Sequence, residues 1–480
     1  MVISGGLHGG QYQPLSQEQI SQIHKATLEV LSNTGVEISN KTAQELLANA
    51  GARVEKERNR VYLPAELVEK SIGSAPSEVL LAGREEKNDL LLRGKRVYLG
   101  TGGTALNVLD LNNTRRPSTL EDCRNTAKLV DALDNIHFFV LPVYPNELPK
   151  EEVDVNRFYS AMQNTTKHIM GGVYTIEGIR KVIKIAEKIA GGPDKLRERP
   201  FISMITCIMS PLKFDDTYTE LMLEVARQGI PLATPPCPMA GATGPVTLAG
   251  TLVQQNAEAL AGIVLTQQVN PGTPVLYSAV PTTVDIRTMD FLFGSVEMGL
   301  LNAAISQVAQ FYNLPIYSTS GVTDSKIPDV QAGYEKATTA LLCALAGSNY
   351  VHDCAGLIER GMTVSFAQYV IDNEINGMVM RAVRGIDVNT ESLAVDVINK
   401  VGPAGNYIAE QHTLKYMRSE FFLPQVSDRQ TYHRWKEQGE KDGWHRANEI
   451  AEKILANHKP TPIPAEIERQ LAEEIPELRL

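Results

Sequence analysis

The sequence predicts an α/β fold: a (β/α)8 TIM barrel carrying N-terminal and C-terminal helical additions. Three observations predict it. Short apolar, β-branched or aromatic runs recur eight times, segments of helical periodicity separate them, and the eight units occupy about 280 residues, the size of a closed barrel of this kind. The runs are RVYLGTGG, HFFVLPVYP, KHIMGGVYT, FISMITCIMSP, PLATPPCPMA, PVLYSAVPTTV, PIYSTSGVTD and YVHDCAG, starting near residues 96, 137, 167, 201, 231, 274, 315 and 350.

Residues 1–96 read as a mainly helical extension, with amphipathic patterns over Ser16–Leu31 and Thr42–Ala50 and a helix over Pro64–Ile72 opened by its proline. Ser16 followed by Gln19 forms a capping box. Residues 97–384 carry the eight units and read as the catalytic domain. Helical segments lie at Thr119–Leu133, Asp154–Asn164, Glu177–Ala190, Asp216–Gln228, Ala249–Gln268, Ser295–Tyr312 and Asp329–Leu345. Strands alternating with helices imply parallel pairing through crossovers, so a doubly wound open sheet is the alternative. Most runs end in Gly, Pro, Thr, Ser or Cys, which favours loops that build a pocket at the C-terminal face. Residues 385–480 turn charged and helical, with prolines at 403, 424, 460, 462 and 464, and read as an appendage.

Composition excludes several classes. A net charge of −10 with no basic stripe argues against nucleic acid. Five widely spaced cysteines without a CxxC motif fit reduced thiols and no bound metal. MVISGGLHGG lacks the apolar core of a secretory signal, and the charge-free stretch Gln228–Ala257 is broken by five prolines, so a cytoplasmic protein without a membrane span is expected. GxxxxGK[ST], HExxH and GxSxG are all absent.

The candidate chemistry gathers at strand ends. His352 falls at the end of the eighth run, with Asp353 and Cys354 beside it. Asp324, Gln331 and Glu335 follow the seventh, where polar side chains can orient a ligand or cap a helix. Gly102 and Gly103 lie in a glycine-rich loop after the first run; its register does not lead into a helix as a dinucleotide loop must, so close backbone approach to a ligand is the better reading. Aromatic residues recur at these ends, namely Tyr98, Tyr144, Tyr174, Tyr277 and Tyr317, with Phe366 and Tyr369 after the eighth run. Aromatic faces attract quaternary ammonium ions. Two or three of them are expected to line a pocket, the rest to pack.

Three segments, LSQEQISQIHKATLEVLSNTG at 15–35, GVTDSKIPDVQAGYEK at 321–336 and HTLKYMRSEFFLPQVSDRQTYHRWKEQG at 412–439, resemble the corrinoid-dependent trimethylamine methyltransferase family. The resemblance implies a barrel enzyme that moves a methyl group from an amine to the Co(I) corrinoid of a separate corrinoid protein. Archaeal trimethylamine members carry pyrrolysine, whereas every position here is a standard residue. The chain therefore resembles the members without it, which implies a quaternary amine as donor, glycine betaine first, with proline betaine and carnitine as alternatives. Dimethylglycine and a methyl-Co(III) corrinoid would be the products. No DxHxxG signature is present, so the corrinoid is expected on the partner. On this reading His352 contacts the corrinoid, Tyr98 and Phe366 form the ammonium cage, and Asp324, Gln331 and Glu335 shape the pocket or attract the cation. Arg287 or the amides of the Gly102–Gly103 loop would take the substrate carboxylate. A homo-oligomer is expected. A betaine-binding barrel without catalysis and a lyase using Lys326 are the competing classes.

Overall fold

The computed structural model describes residues 5–479, so the first four residues of the N-terminal segment read above lie outside it. Eight strands form one parallel series: β1 (Arg96–Leu99), β2 (Phe139–Val140), β3 (Ile169–Gly172), β4 (Ile202–Ile205), β5 (Leu232–Ala233), β6 (Val275–Ser278), β7 (Ile316–Thr319) and β8 (Tyr350–His352). Each falls within one of the eight apolar runs. Their order in the sheet is β1, β8, β7, β6, β5, β4, β3, β2, so every strand beyond β1 pairs with its neighbour in sequence, and β8 returns to β1. The sheet curls until its ends meet: the His137 N–H donates to Leu99 O at 2.7 Å and the Thr101 N–H to Phe138 O. A short ninth strand, Leu7–His8, runs antiparallel to β1.

Helices follow the strands: α1 (Leu120–Asp131), α2 (Lys150–Asn164), α3 (Ile176–Ala190), α4 (Asp216–Gln228), α5 (Leu248–Val269), α6 (Val296–Phe311), α7 (Val330–Ala346) and α8 (Phe366–Arg384). Their starts are written in the sequence. Thr119, Thr175, Asp215, Ser295, Asp329 and Ser365 each accept a backbone N–H of the first turn, as N-cap residues of these types do. Helix α5 carries no charge except Glu258 and is buried nearly all round. The helices Gln17–Glu29 and Ala65–Ser74 of the N-terminal segment cover it, which accounts for its apolar composition.

The N-terminal segment is not purely helical. Strands Val36–Ile38, Arg53–Glu55 and Arg60–Tyr62 form a small sheet completed by Lys213–Phe214 from the loop after β4, and Glu78–Leu81 pairs with Leu90–Arg93. The Ser16–Gln19 box forms in both directions. Beyond α8, the helix Gly443–Asn457 packs against α8 and α1, and the final turns are tied to α2 and α3 through Asn156 with Arg479 and Lys181 with Glu477. Among the described residues no helix is long and apolar enough to cross a membrane.

Candidate active site

The C-terminal ends of all eight strands converge on one cavity of about 350 Å³. Gly103 and Thr104 come from the loop after β1, Leu141 from the end of β2, Tyr174 from β3, Cys207 from β4, Cys237 from β5, Phe291 and Phe293 from β6, Tyr317 from β7, and His352, Asp353, Leu357 and Arg360 from β8. Tyr218, at the start of α4, closes one side. Larger concavities include an apolar groove beside α5, a polar cleft containing Lys87, Asp131, Lys167 and His458, and a surface hollow between Arg84, Lys195 and Arg199. None of these three is assembled from the C-terminal strand ends. In an α/β fold with a curled parallel sheet it is that end where loops from many strands can place several side chains on one ligand.

His352 lies against this cavity, stacked on Tyr317 with ring centroids 4.2 Å apart. Its Nδ1 is 2.6 Å from Ser318 O and its Nε2 is 2.9 Å from an Asp353 carboxylate oxygen. Both ring nitrogens are thus engaged, and neither is free to act as a base. Adjacent strand residues point to opposite faces, so Asp353 should face away from His352. Here the backbone of Asp353 enters the left-handed region at φ 70°, which turns its carboxylate back onto the imidazole and lets it accept the Thr319 hydroxyl at 2.6 Å. Gly102 makes room for that turn: a Cβ there would stand 1.5 Å from the Asp353 carboxylate. Gly103 is likewise pressed against Leu141 O.

Asp324, Gln331 and Glu335 do not line the cavity. They form one chain of bonds behind it. Gln331 donates to Glu335 at 2.8 Å, Glu335 accepts the Thr323 hydroxyl and the Asp324 N–H, and Asp324 accepts the N–H groups of Phe293 and Gly294. The loop after β7 thereby fixes the loop after β6, and with it the ring of Phe293. Burial pushes the Asp324 carboxyl up. Tyr98 stands in the polar cleft, edge-on to His137 at 6.0 Å, and Phe366 is the buried first residue of α8. Arg287 is exposed and paired with Asp285 on the loop after β6. Of the aromatic residues singled out in the sequence, Tyr174 and Tyr317 line the cavity; Tyr218, Phe291 and Phe293 join them.

Two arginines not marked in the sequence set the electrostatics. Arg157 of α2 is completely buried and donates to the Thr104 hydroxyl at 2.8 Å, Leu141 O at 3.0 Å and the Tyr174 hydroxyl at 3.2 Å. Its charge is partly balanced by the buried carboxylate of Asp154 on the same helix, which accepts the Tyr174 N–H. Arg360 lines the cavity itself. It lies 3.8 Å from Asp324 and 3.5 Å from Asp290, and its buried Nε makes no hydrogen bond. Nothing in a charge-bearing helix or a loop Glu-Arg-Gly marks either residue from sequence.

The remaining nucleophiles are quiet. Burial pushes the Cys207 thiol up to about 11 and that of Cys237 up to about 12, so both stay protonated at neutral pH. Cys354 is buried away from the cavity and bonded to Ser320 O, and Lys326 is an exposed residue donating to Asp324 O. Among the described residues no cluster of three His, Cys, Asp or Glu side chains could hold a metal ion.

Glu258 of α5 supports the loop after β4, accepting from Leu212 N–H and Gln254 and lying 2.8 Å from the Ser210 hydroxyl. Burial outweighs these donors and raises its carboxyl to about 7. The folded state then holds a proton that the unfolded chain has released between about pH 4.5 and 7, so stability is greatest at the acidic end of that window and falls as pH rises through it. The shift corresponds to about 3 kcal/mol at most. Glu258→Gln keeps an acceptor for Leu212 and has no proton to lose. Thermal unfolding from pH 5 to 8 is expected to show a decline in the wild type that is several degrees smaller in this variant; parallel curves would rule out the assignment.

The chain's relatives are methyltransferases named for different donors. A family model described as trimethylamine methyltransferase (MTTB) matches residues 7–477. The chain is 42% identical over 94% of its length to trimethylamine methyltransferase MttB of Desulfitobacterium hafniense strain DSM 10664 / DCB-2, covering 91% of that protein. It is 35% identical to a glycine betaine methyltransferase of Desulfitobacterium hafniense strain Y51, with 96% of each chain covered. Monomethylamine methyltransferase of Methanosarcina barkeri has a similar fold, with a TM-score of 0.51 over 96% of this chain and 97% of that one at 11% identity. A cavity lined by aromatic rings at the strand ends, on a chain matched nearly end to end, makes this protein a methyltransferase of the trimethylamine methyltransferase family.

Proposed function

We propose that the curled sheet is a (β/α)8 barrel closed through His137 and Leu99, and that its cavity takes a methyl group from glycine betaine for delivery to the corrinoid of a partner protein. The observation that carries the substrate is the pairing of unlike walls. Five aromatic rings, those of Tyr174, Tyr218, Phe291, Phe293 and Tyr317, suit a trimethylammonium group, and the guanidinium of Arg360, loosely paired with Asp290 and Asp324 at the cavity wall, suits a carboxylate. Trimethylamine has no group for the arginine side of the cavity. The volume suits a small zwitterion.

The corrinoid supplies a Co(I) nucleophile that accepts the methyl group. The residues of this chain bind, orient and dry the donor. Arg360 holds the carboxylate and so fixes which N-methyl group faces the mouth, while the rings replace water around the cation. A quaternary ammonium departs as a neutral amine, so no proton has to move, and the full engagement of His352 is consistent with that. His352 serves to hold Asp353 in place on the wall. The mouth suits a docking protein: Leu106, Met209, Val246, Met289 and Met362, from loops after five different strands, are exposed apolar side chains around it.

The test is an anaerobic assay with reduced cobalamin and a panel of glycine betaine, proline betaine, carnitine, choline and trimethylamine. Glycine betaine is expected to give methylcobalamin by its spectrum and an equal amount of dimethylglycine. Methylation from trimethylamine alone would overturn the reading, and tight betaine binding with no methylation would make the protein a binding module.

A further inference from the structure

We infer, on the reading of Arg360 as the carboxylate's partner, that Arg115 and Glu359 form a clamp outside the cavity that positions the Arg360 guanidinium and so gives the site its preference for a donor bearing a carboxylate. Arg115 meets Glu359 with both arms of its fork: Nε donates to Oε2 at 2.9 Å and Nη2 to Oε1 at 3.2 Å. The two residues come from the loops after β1 and β8, the strands at which the sheet returns on itself. Those loops share one small sheet, made of Asn107–Leu109, Arg115–Pro117, Leu357–Ile358 and Thr363–Ser365.

Arg360 has no side-chain partner close enough to fix it. Asp290 and Asp324 stand 3.5 Å and 3.8 Å away, beyond the usual length of a hydrogen bond, and its buried Nε bonds to nothing. Where the guanidinium stands is therefore set by the backbone beneath it. That backbone is a left-handed turn, with φ of 53° at Glu359, 57° at Arg360 and 80° at Gly361. Only the glycine adopts this without steric cost, so the other two hold it because their surroundings enforce it. Enforcement comes from two sides. In the loop after β7, Ser325 O accepts the Glu359 N–H at 2.6 Å and Thr323 O the Arg360 N–H at 3.0 Å. From the loop after β1, Arg115 takes the Glu359 carboxylate, which also accepts the Thr363 hydroxyl.

The pair suits positioning better than stability. Arg115 is 51% exposed, and an ion pair that open to water adds little to folding. A bidentate fork, however, fixes direction as well as distance. Arg360 and Leu357 of the same loop stand in the cavity wall, whereas Arg115 and Glu359 do not, so the clamp reaches the donor only through Arg360. With the clamp opened, the turn is free to let Arg360 close on Asp290 and Asp324, and the donor's carboxylate must then compete with both.

Steady-state kinetics of the full chain with glycine betaine and reduced cobalamin, with choline as a competitor, test this. Arg115→Gln is expected to raise the KM for glycine betaine about 10-fold, part of the loss caused by removing Arg360 itself, while turnover and the inhibition constant of choline stay as they are. Glu359→Gln opens the same clamp and is expected to do the same. Once Arg360 is replaced by glutamine, adding Arg115→Gln is expected to change nothing further, because the two residues act through one contact. A pair that served the fold alone would move turnover and choline as well, and its effect would add to that of Arg360→Gln; either result overturns the clamp. An unchanged KM in Arg115→Gln beside a raised one in Arg360→Gln also overturns it and leaves the carboxylate reading standing. An unchanged KM in Arg360→Gln overturns both.

Discussion

Replacing Lys336 with methionine is expected to lower the stability of the fold by about 3–5 kcal/mol, the cost of leaving one member of a buried ion pair alone. Lys336 of α7 and Asp372 of α8 lie 3.2 Å apart, each 1% exposed. The ammonium also bonds to Gly321 O and, at 2.9 Å, to Leu357 O, and the carboxylate accepts the Gly356 N–H at 2.7 Å. One charge pair thus holds the loops after β7 and β8, and Leu357 is part of the cavity wall. Burial pushes the Asp372 carboxyl up and Lys336 opposes it, so the single variant strands a carboxylate that takes up a proton. The double variant Lys336→Met, Asp372→Asn is expected to recover much of the loss. Urea unfolding of the two variants and the wild type measures this, and a single variant within 1 kcal/mol of wild type would show that the pair carries no such weight.

Arg360→Gln is expected to raise the KM for glycine betaine about 100-fold, roughly the 2–3 kcal/mol of a charge-assisted hydrogen-bonded contact. The turnover rate should change little, because the contact is made equally in the bound substrate and in the transition state. Choline, which keeps the trimethylammonium group and lacks the carboxylate, is the control: its weak use should not worsen. Arg287→Gln, on the exposed loop, is expected to leave both constants unchanged. An unaltered KM for glycine betaine in Arg360→Gln would separate the arginine from the substrate and return trimethylamine to the front.

The eight strands were legible because parallel strands covered on both faces read as unbroken apolar runs, and their helices because Ser, Thr and Asp caps mark the starts. The site was legible only to the level of strand ends. Tyr98 and Tyr174 are both aromatic residues in or just after a strand, and which one faces the cavity depends on strand register and loop path that no local pattern records. Asp353 escapes the alternation rule through one left-handed residue. Arg157 looks like any surface arginine on an amphipathic helix, and its burial follows from where α2 lies against the ends of β2 and β3. The acidic run after β7 suggested direct contact with a ligand; its carboxylates are spent on backbone N–H groups one loop away.

Helix α8 has 19 residues and so spans about 28 Å from the mouth to the starts of the strands. The residues it anchors at its far end, Ser419 and Glu420 through Arg384 and Arg381, therefore lie too far from the cavity to touch anything bound there. Substitutions at that end are expected to act on the stability of the fold and to leave the affinity for the donor alone.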